Sequence, residues 1–184
     1  MKTAPYLAFT LITLVLVGCQ TVTSPFTRQP ANYQGLPEEA LREIALRIEQ
    51  AVEAGEREPA LEDRPELMLS TRVRQAIRTR ATRVEMVDEL RNRGFGIEKS
   101  SGLIAVLRSR AYNNATDRRQ RDRDANVVMG ENDDRWALYE GIIKDNGYPG
   151  SSRGAIQRIF FEARLQTLES GQFYESETGD PIAK

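Results

Sequence analysis

Residues 93–107 read RGFGIEKSSGLIAVL, and this stretch decides the fold class. Before it, apolar residues recur three and four positions apart, the period of a helix with one buried face. Within it they gather into two short runs on either side of Lys99-Ser100-Ser101-Gly102. Short β-leaning runs about a glycine-containing turn predict an antiparallel hairpin, with a helix over residues 103–110 as the alternative for the second run. Gly94 stands where the preceding helix must stop. The chain is therefore read as mainly α with a small β component, an α+β fold of about four helices and a small antiparallel hairpin region.

Upstream of the hairpin, two helices are expected. Pro37 suits a first helical turn, and Glu38 and Glu39 follow it at the positive end of the helix dipole. Leu41, Ile44, Ala45, Ile48, Ala51 and Val52 then line one face, and Gly55 is a fitting stop. The second helical region spans about residues 65–93, broken near Ser70, with Val73, Ile77, Val84, Val87 and Leu90 as its apolar stripe. Arg72, Arg74, Arg78, Arg80 and Arg83 cover much of the remainder. Residues 71–93 carry seven arginines against three acids, whereas residues 36–69 carry ten acids against four bases. Opposite excesses so close in sequence favour pairing between these arginines and the acidic first helix, or simple solvation of a charged face. The functional alternative is a face for lipid phosphate or another anionic envelope polymer, because guanidinium offers phosphate a bidentate fork. With arginines early and Glu85, Asp88 and Glu89 late, this helix opposes its own macrodipole and needs packing to hold it.

Downstream, residues 108–126 are polar, with Thr116 or Asp117 as the N-cap of a third helix. Val128, Arg135, Leu138 and Ile142 mark its inner face, and Trp136 and Tyr139 add bulk. Gly130 and Gly141 each cost a helix about 1 kcal/mol relative to Ala, which points to a close crossing with another element. After a turn at residues 146–150, Ser151 or Ser152 is expected to cap a fourth helix carrying Ile156, Ile159, Phe160, Ala163, Thr167 and Leu168, with Gly171 as its stop. Residues 172–175 and a turn at 178–180 predict a terminal hairpin able to pair with the first.

The chain has 184 residues, 29% charged and 40% hydrophobic, enough for one ordinary domain. It holds one cysteine and no histidine, which rules out thiolate or imidazole zinc sites and histidine-based acid–base or triad chemistry. A net charge of −1 argues against a general nucleic-acid binder. No glycine-rich phosphate loop occurs, and no cofactor or metal is expected. Glu131-Asn132-Asp133-Asp134 is the densest acidic cluster, but successive residues point about 100° apart around a helix, so it reads as a solvated or salt-bridged turn. Ser100 and Ser101 lie outside any nucleophile elbow, and nothing supports a Ser/Lys dyad through Lys99 or Lys144. No catalytic residue is assigned.

At the start of the chain, Lys2 precedes an apolar block at residues 4–17, the layout of a secretory leader. The block is shorter than the ~20 residues a spanning helix needs. Leu16-Val17-Gly18-Cys19 resembles the lipobox of bacterial lipoproteins, which implies cleavage before Cys19 and acylation of its thiol and new amino terminus. Acyl chains contribute about 0.8 kcal/mol per buried methylene, so two or more give lasting attachment. By the same resemblance, Gln20 favours the outer membrane, facing the periplasm. Residues 19–35 are rich in Ser, Thr, Pro, Gln and Asn and read as a flexible tether. The expected organisation is a leader at 1–18, a tether at 19–35, a helical part at 36–93 and a second part at 94–184.

That second part, about half the chain, resembles the YdbL family of envelope proteins. Three pieces carry the likeness. The first is Gly94-Phe95-Gly96-Ile97-Glu98 with Gly102 and Leu103, where Gly96-Ile97 stands in place of the family's valine then glycine. The second is Val128, Asn132, Arg135, Tyr139, Ile143 and Asn146 along one helix. The third runs from Gly171 through Gly179 to Lys184, with Pro181 in place of the family's late tryptophan. The resemblance implies a non-catalytic accessory or chaperone of another envelope protein, of the kind associated with AsmA-like bridges that carry phospholipid between membranes. Gly94, Glu98, Gly102, Asn132, Arg135, Tyr139 and Gly171 then become family-motif or partner contacts. For Asn132, Arg135 and Tyr139 the competing reading is a buried polar bracket tying the third helix to the hairpin. The other functional readings are direct binding of lipid headgroups or peptidoglycan through the face from Arg72 to Arg83, and a histidine-free hydrolase.

Overall fold

In the computed structural model, which describes residues 31–184, the apolar periodicities become helices at the expected places. The leader, Cys19 and most of the tether lie outside the described residues. Helix α1 (Glu38–Glu53) carries the first stripe and α2 (Thr71–Asn92) the second. Ser70 is the N-cap of α2, its side chain accepting from the Val73 N–H, so the expected break at this residue is the start of the helix itself. The hairpin follows as β1 (Gly96–Glu98) and β2 (Ile104–Val106), and the helical alternative for the second run is not realised. A short helix α3 (Arg110–Ala115) occupies part of the polar segment, which periodicity could not reveal because only Tyr112 on it is buried.

Helix α4 (Arg118–Asp145) begins at Asp117, whose Oδ1 accepts the Gln120 N–H at 2.7 Å. Caps of this kind are worth roughly 1 kcal/mol. Helices α1, α2 and α4 all end in the same way, with Gly55, Gly94 and Gly147 at positive φ and the residue after each glycine donating back to a carbonyl five positions earlier. That double hydrogen-bonded ending needs a residue free to take the left-handed conformation. The last helix, α5 (Arg153–Thr167), departs from expectation at both ends. Ser152 precedes it, but its buried hydroxyl makes no cap bond. Gly171 does not stop it either, because the chain turns extended at Leu168 and Gly171 lies in the turn that leads to the next strand.

Strands β3 (Phe173–Glu175) and β4 (Pro181–Ala183) form the terminal hairpin, and β3 joins β1. The order is β2-β1-β3-β4. The expected antiparallel region is therefore a mixed sheet, two antiparallel hairpins joined by a parallel pair in which Ile97 faces Phe173. The parallel pair follows from connectivity, since α4 and α5 return the chain to the same end of the sheet.

Residues 36–93 and 94–184 share one core rather than dividing into two. Leu41, Ile44, Ile48, Val73 and Ile77 from the first part pack with Leu138, Tyr139, Ile142, Ile156 and Phe160 from the second. Gly141 shows why its position rejects a side chain: a Cβ there would lie 2.5 Å from Val73 Cγ2, so α2 and α4 cross at the distance that only glycine permits. Gly130 faces the same partner helix, with the Arg83 guanidinium over it.

Candidate functional site

Charged residues interrupt the apolar stripes at several points, and the fold gathers these interruptions into one buried network. Glu49 follows Ile48 on α1; Arg80 and Arg91 lie on α2; Glu98 is the last residue of β1; Glu131 and Arg135 are one turn apart on α4; Arg164 is on α5. Each of these seven is at most 2% exposed. Arg80 forks onto Glu49 at 2.8 and 3.0 Å and sends its Nε to Glu131 at 2.8 Å. Arg135 forks onto Glu98 at 2.6 and 2.9 Å and reaches Glu131 at 2.8 Å. Arg164 bridges Glu49 at 3.0 Å and Glu98 at 3.1 Å, and Arg91 donates to Glu98 at 2.7 Å. Four arginines thus meet three glutamates in the dry interior, and Glu53, partly exposed, closes the balance by pairing with Arg91 at 2.8 Å.

The hairpin turn docks onto this network. The Gly102 carbonyl accepts from the Tyr139 hydroxyl at 2.7 Å, from Arg164 at 2.8 Å and, at 3.4 Å, from Arg135. Gly102 has φ of +80°, and a side chain there would meet Gln157 and the Tyr139 hydroxyl at 3.1 Å. Asn132 behaves as a fragment of an extra strand, its amide donating to the Ile104 carbonyl and its Oδ1 accepting the Ile104 N–H, each at 2.9 Å. The outer edge of β2 is closed in this way. Asn132, Arg135 and Tyr139 therefore form a polar bracket between the third long helix and the hairpin, Arg135 and Tyr139 buried and Asn132 half-buried, with Glu98 and Gly102 as its counterparts.

Electrostatics keep the three buried glutamates ionised, whereas at Glu53 burial outweighs Arg91 and raises the carboxyl. Burial opposes charge on Glu98, but Arg135 and Arg91 prevail and hold its carboxyl well below the usual carboxylate range. For Glu131 the same contest is won by Arg80 and Arg135, and the pKa falls to about 2. Glu49 is lowered against its burial by Arg80 and Arg164. Burial disfavours charge on Arg80, Arg91 and Arg135 as well, yet the neighbouring glutamates raise all three. A carboxylate saturated by guanidinium donors and ionised far below neutral pH cannot serve as a general base of matched pKa.

The remaining residues singled out in the sequence are dispersed. Arg74 pairs with Asp63 at 3.0 Å, Arg78 with Glu58 at 2.8 Å, and Arg83 with Glu131 and Asp134 at 3.2 and 2.7 Å. Arg80 points into the core, whereas Arg72 is exposed. These five do not make one open anionic-ligand face, because a helix turns them to different sides and four are already paired. The cluster from Glu131 to Asp134 is helical rather than a turn, with Glu131 buried, Asn132 in the bracket, Asp134 on Arg83 and Asp133 exposed. Ser100 donates through both its N–H and its hydroxyl to Glu175, which also pairs with Lys99, so this turn is clamped to β3. Ser101 and Lys144 are exposed and apart. Gly94 terminates α2, and Gly171 donates its N–H to the Lys184 carbonyl in the terminal hairpin.

Sequence reasoning missed Glu49, Arg91 and Arg164. The signal was present: Glu49 is three residues before Val52, Arg91 four after Val87, and Arg164 four after Phe160, positions on or beside an apolar stripe. Among the described residues, no group of three or more His, Cys, Asp or Glu is placed to hold a metal ion, and no helix is long and apolar enough to cross a membrane. No protein-family model, curated protein or solved structure matches the chain.

Proposed function

We propose that this chain is a YdbL-like envelope lipoprotein, attached through Cys19 to the outer membrane and facing the periplasm, that acts as a non-catalytic accessory or chaperone of another envelope protein. What supports the reading is the use made of the motif residues. Glu98, Gly102, Asn132, Arg135 and Tyr139 are spent on holding the hairpin against α4, with the carboxylate held in its charged form. A motif of that kind maintains a rigid platform whose outer surface meets a partner. The partner class favoured by the resemblance is a bridge that carries phospholipid between membranes. Direct headgroup binding through the face from Arg72 to Arg83 has less support, because Arg74, Arg78, Arg80 and Arg83 already have carboxylate partners.

Intact-mass measurement on protein from its host is expected to give a chain beginning at Cys19 and carrying acyl groups. Crosslinking in intact cells is expected to capture a defined envelope protein. An unprocessed chain with a bare thiol, or no envelope protein above background, refutes the proposal.

A further inference from the structure

An open groove of about 510 Å³ runs along the seam between the second half of α2 and the first half of α4, lined by Met86, Asn126 and Val127 and by three arginines, Arg83, Arg119 and Arg123, against one acid, Asp122. Its apolar component is unusually accessible. Met86 is 48% exposed, and outside the groove's lining, one turn beyond Asn126 on α4, Met129 is 60% exposed. Thioether side chains of this kind adapt to varied apolar partners.

The charge around the groove is not consumed inside the fold. Residues 108–123 contain six arginines against Asp117 and Asp122. Asp117 is occupied as the cap of α4, and Asp122 has Arg118 4.0 Å away. Arg108, Arg110, Arg119 and Arg123 are exposed and have no acidic partner among the described residues. The first turn of α4 holds no acid and carries Arg118, Arg119 and Arg121, the wrong sign for the positive end of a helix dipole.

Position completes the case. The chain joins the described fold at the far end of α4, where Asn32 donates to Ser151. Asn146 at that end and Arg119 near the start of α4 are 27 residues apart in sequence, and at 1.5 Å per residue the helix separates them by ~40 Å. The basic groove therefore lies at the opposite end of α4 from the point where the described chain begins.

We infer that this groove docks an acidic amphipathic helix of the partner protein, with apolar anchors against Met86 and Val127 and carboxylates toward Arg119 and Arg123. The inference rests on the accessory reading above and deepens it by giving the surface and the chemistry of the partner segment, a helix-in-groove mode with charge complementarity.

The test places a photoreactive amino acid at Met86 or Asn126 of the full chain in its host cells, with Lys144 at the opposite pole for comparison. The captured peptide is mapped by mass spectrometry. Groove positions are expected to capture a protein segment rich in Asp or Glu and in Leu, Met or Phe. The double variant Arg119→Glu/Arg123→Glu is expected to lower that yield at least about fivefold, and the matching Lys variants to retain it. Thermal unfolding of the Glu variant should be unchanged or higher than wild type, because an acid in the first turn suits the dipole. Crosslinking of the groove to phospholipid, capture of a segment without acids, or indifference to Arg119→Glu/Arg123→Glu would overturn the inference. Capture from Lys144 but not from the groove would overturn it while leaving the accessory reading standing, and capture from neither would end both.

Discussion

Replacing Glu98 by Gln tests whether the interior depends on charge rather than shape. The side chain is fully buried and accepts from Arg91, Arg135 and Arg164, at 2.7, 2.6, 2.9 and 3.1 Å over four contacts. Glutamine preserves the volume and one acceptor oxygen, but its NH2 must then face guanidinium nitrogens that have only hydrogens to offer. The fully buried set passes from four arginines against three glutamates to four against two. Removing one member of a buried ion pair costs about 3–5 kcal/mol, and three guanidiniums sharing this carboxylate put the expectation at the upper end. In a domain of this size 1 kcal/mol shifts the unfolding midpoint by about 2–4 °C, so E98Q should melt ~10–20 °C lower.

The assay is thermal unfolding followed by circular dichroism, with Arg78→Gln as the reference. Arg78 and Glu58 pair at 2.8 Å with side chains 46% and 76% exposed, and a pair in that setting contributes less than about 1 kcal/mol. The double change Glu98→Gln/Arg135→Met removes one of the stranded cations and should melt above the single variant. A midpoint for E98Q within about 3 °C of R78Q, or a double variant that loses the sum of its parts, would refute the view of Glu98 as a coupled hub.

Three further outcomes are expected. Gly141→Ala should destabilise by about 1–3 kcal/mol in denaturant titration, because its Cβ would sit 2.5 Å from Val73 Cγ2, whereas Gly141→Ala/Val73→Ala should recover most of the loss. Asn132→Leu strands the Ile104 N–H and carbonyl at a cost of about 1–3 kcal/mol, and hydrogen exchange at Ile104 should speed up more than at Ile97. Acid should unfold the protein with a definite sign: Glu98, Glu131 and Glu49 have folded-state pKa values below the ordinary 4.5, so their stabilisation is complete above about that pH and is lost as pH falls through the folded values, near 2 for Glu131. For Glu131 alone the shift corresponds to about 3 kcal/mol, and a urea midpoint that stays flat between pH 4.5 and 2 would contradict the assignment.

Much of the fold was legible in the sequence because packing and local preference agree there. The four long helices carry stripes of period 3.6, a glycine ends α1, α2 and α4, a polar side chain caps α2 and α4, and both hairpins announce themselves by turn chemistry, whereas the limits of α5 were misread. A close crossing of α4 with some other element was legible from Gly130 and Gly141, since each costs a helix stability unless a neighbour needs the space, but that the neighbour is α2 was not. The parallel pairing of β1 with β3 was not legible, because three-residue strands carry too few side chains to state a register or direction. The bracket of Asn132, Arg135 and Tyr139 was foreseen as one of two readings. The full network was not: the opposite charge excesses of residues 36–69 and 71–93 pointed to pairing of the α2 arginines with the first helix, as Arg80 does with Glu49, but nothing local reports that this pair is buried or that Glu131, 51 residues from Arg80, joins it.

The network also explains how so small a sheet persists. Four strands of three residues bury too little to stand alone, and isolated hairpins are marginal in water. Here the sheet is held from one side by groups that belong to helices: Arg91, Arg135 and Arg164 on Glu98, Tyr139 and Arg164 on the Gly102 carbonyl, and Asn132 on Ile104. Apolar residues of equal volume would stabilise a helix interface as well or better, but they would not fix direction. A guanidinium fork has one geometry of approach to a carboxylate, so Arg135 on Glu98 and Arg80 on Glu49 fix how α4 meets β1 and how α2 meets α1. The consequence is a division of the arginines by task. Those that set the register of the elements are paired and inaccessible, and Arg119 and Arg123 near the start of α4, without a carboxylate partner among the described residues, are left facing outward.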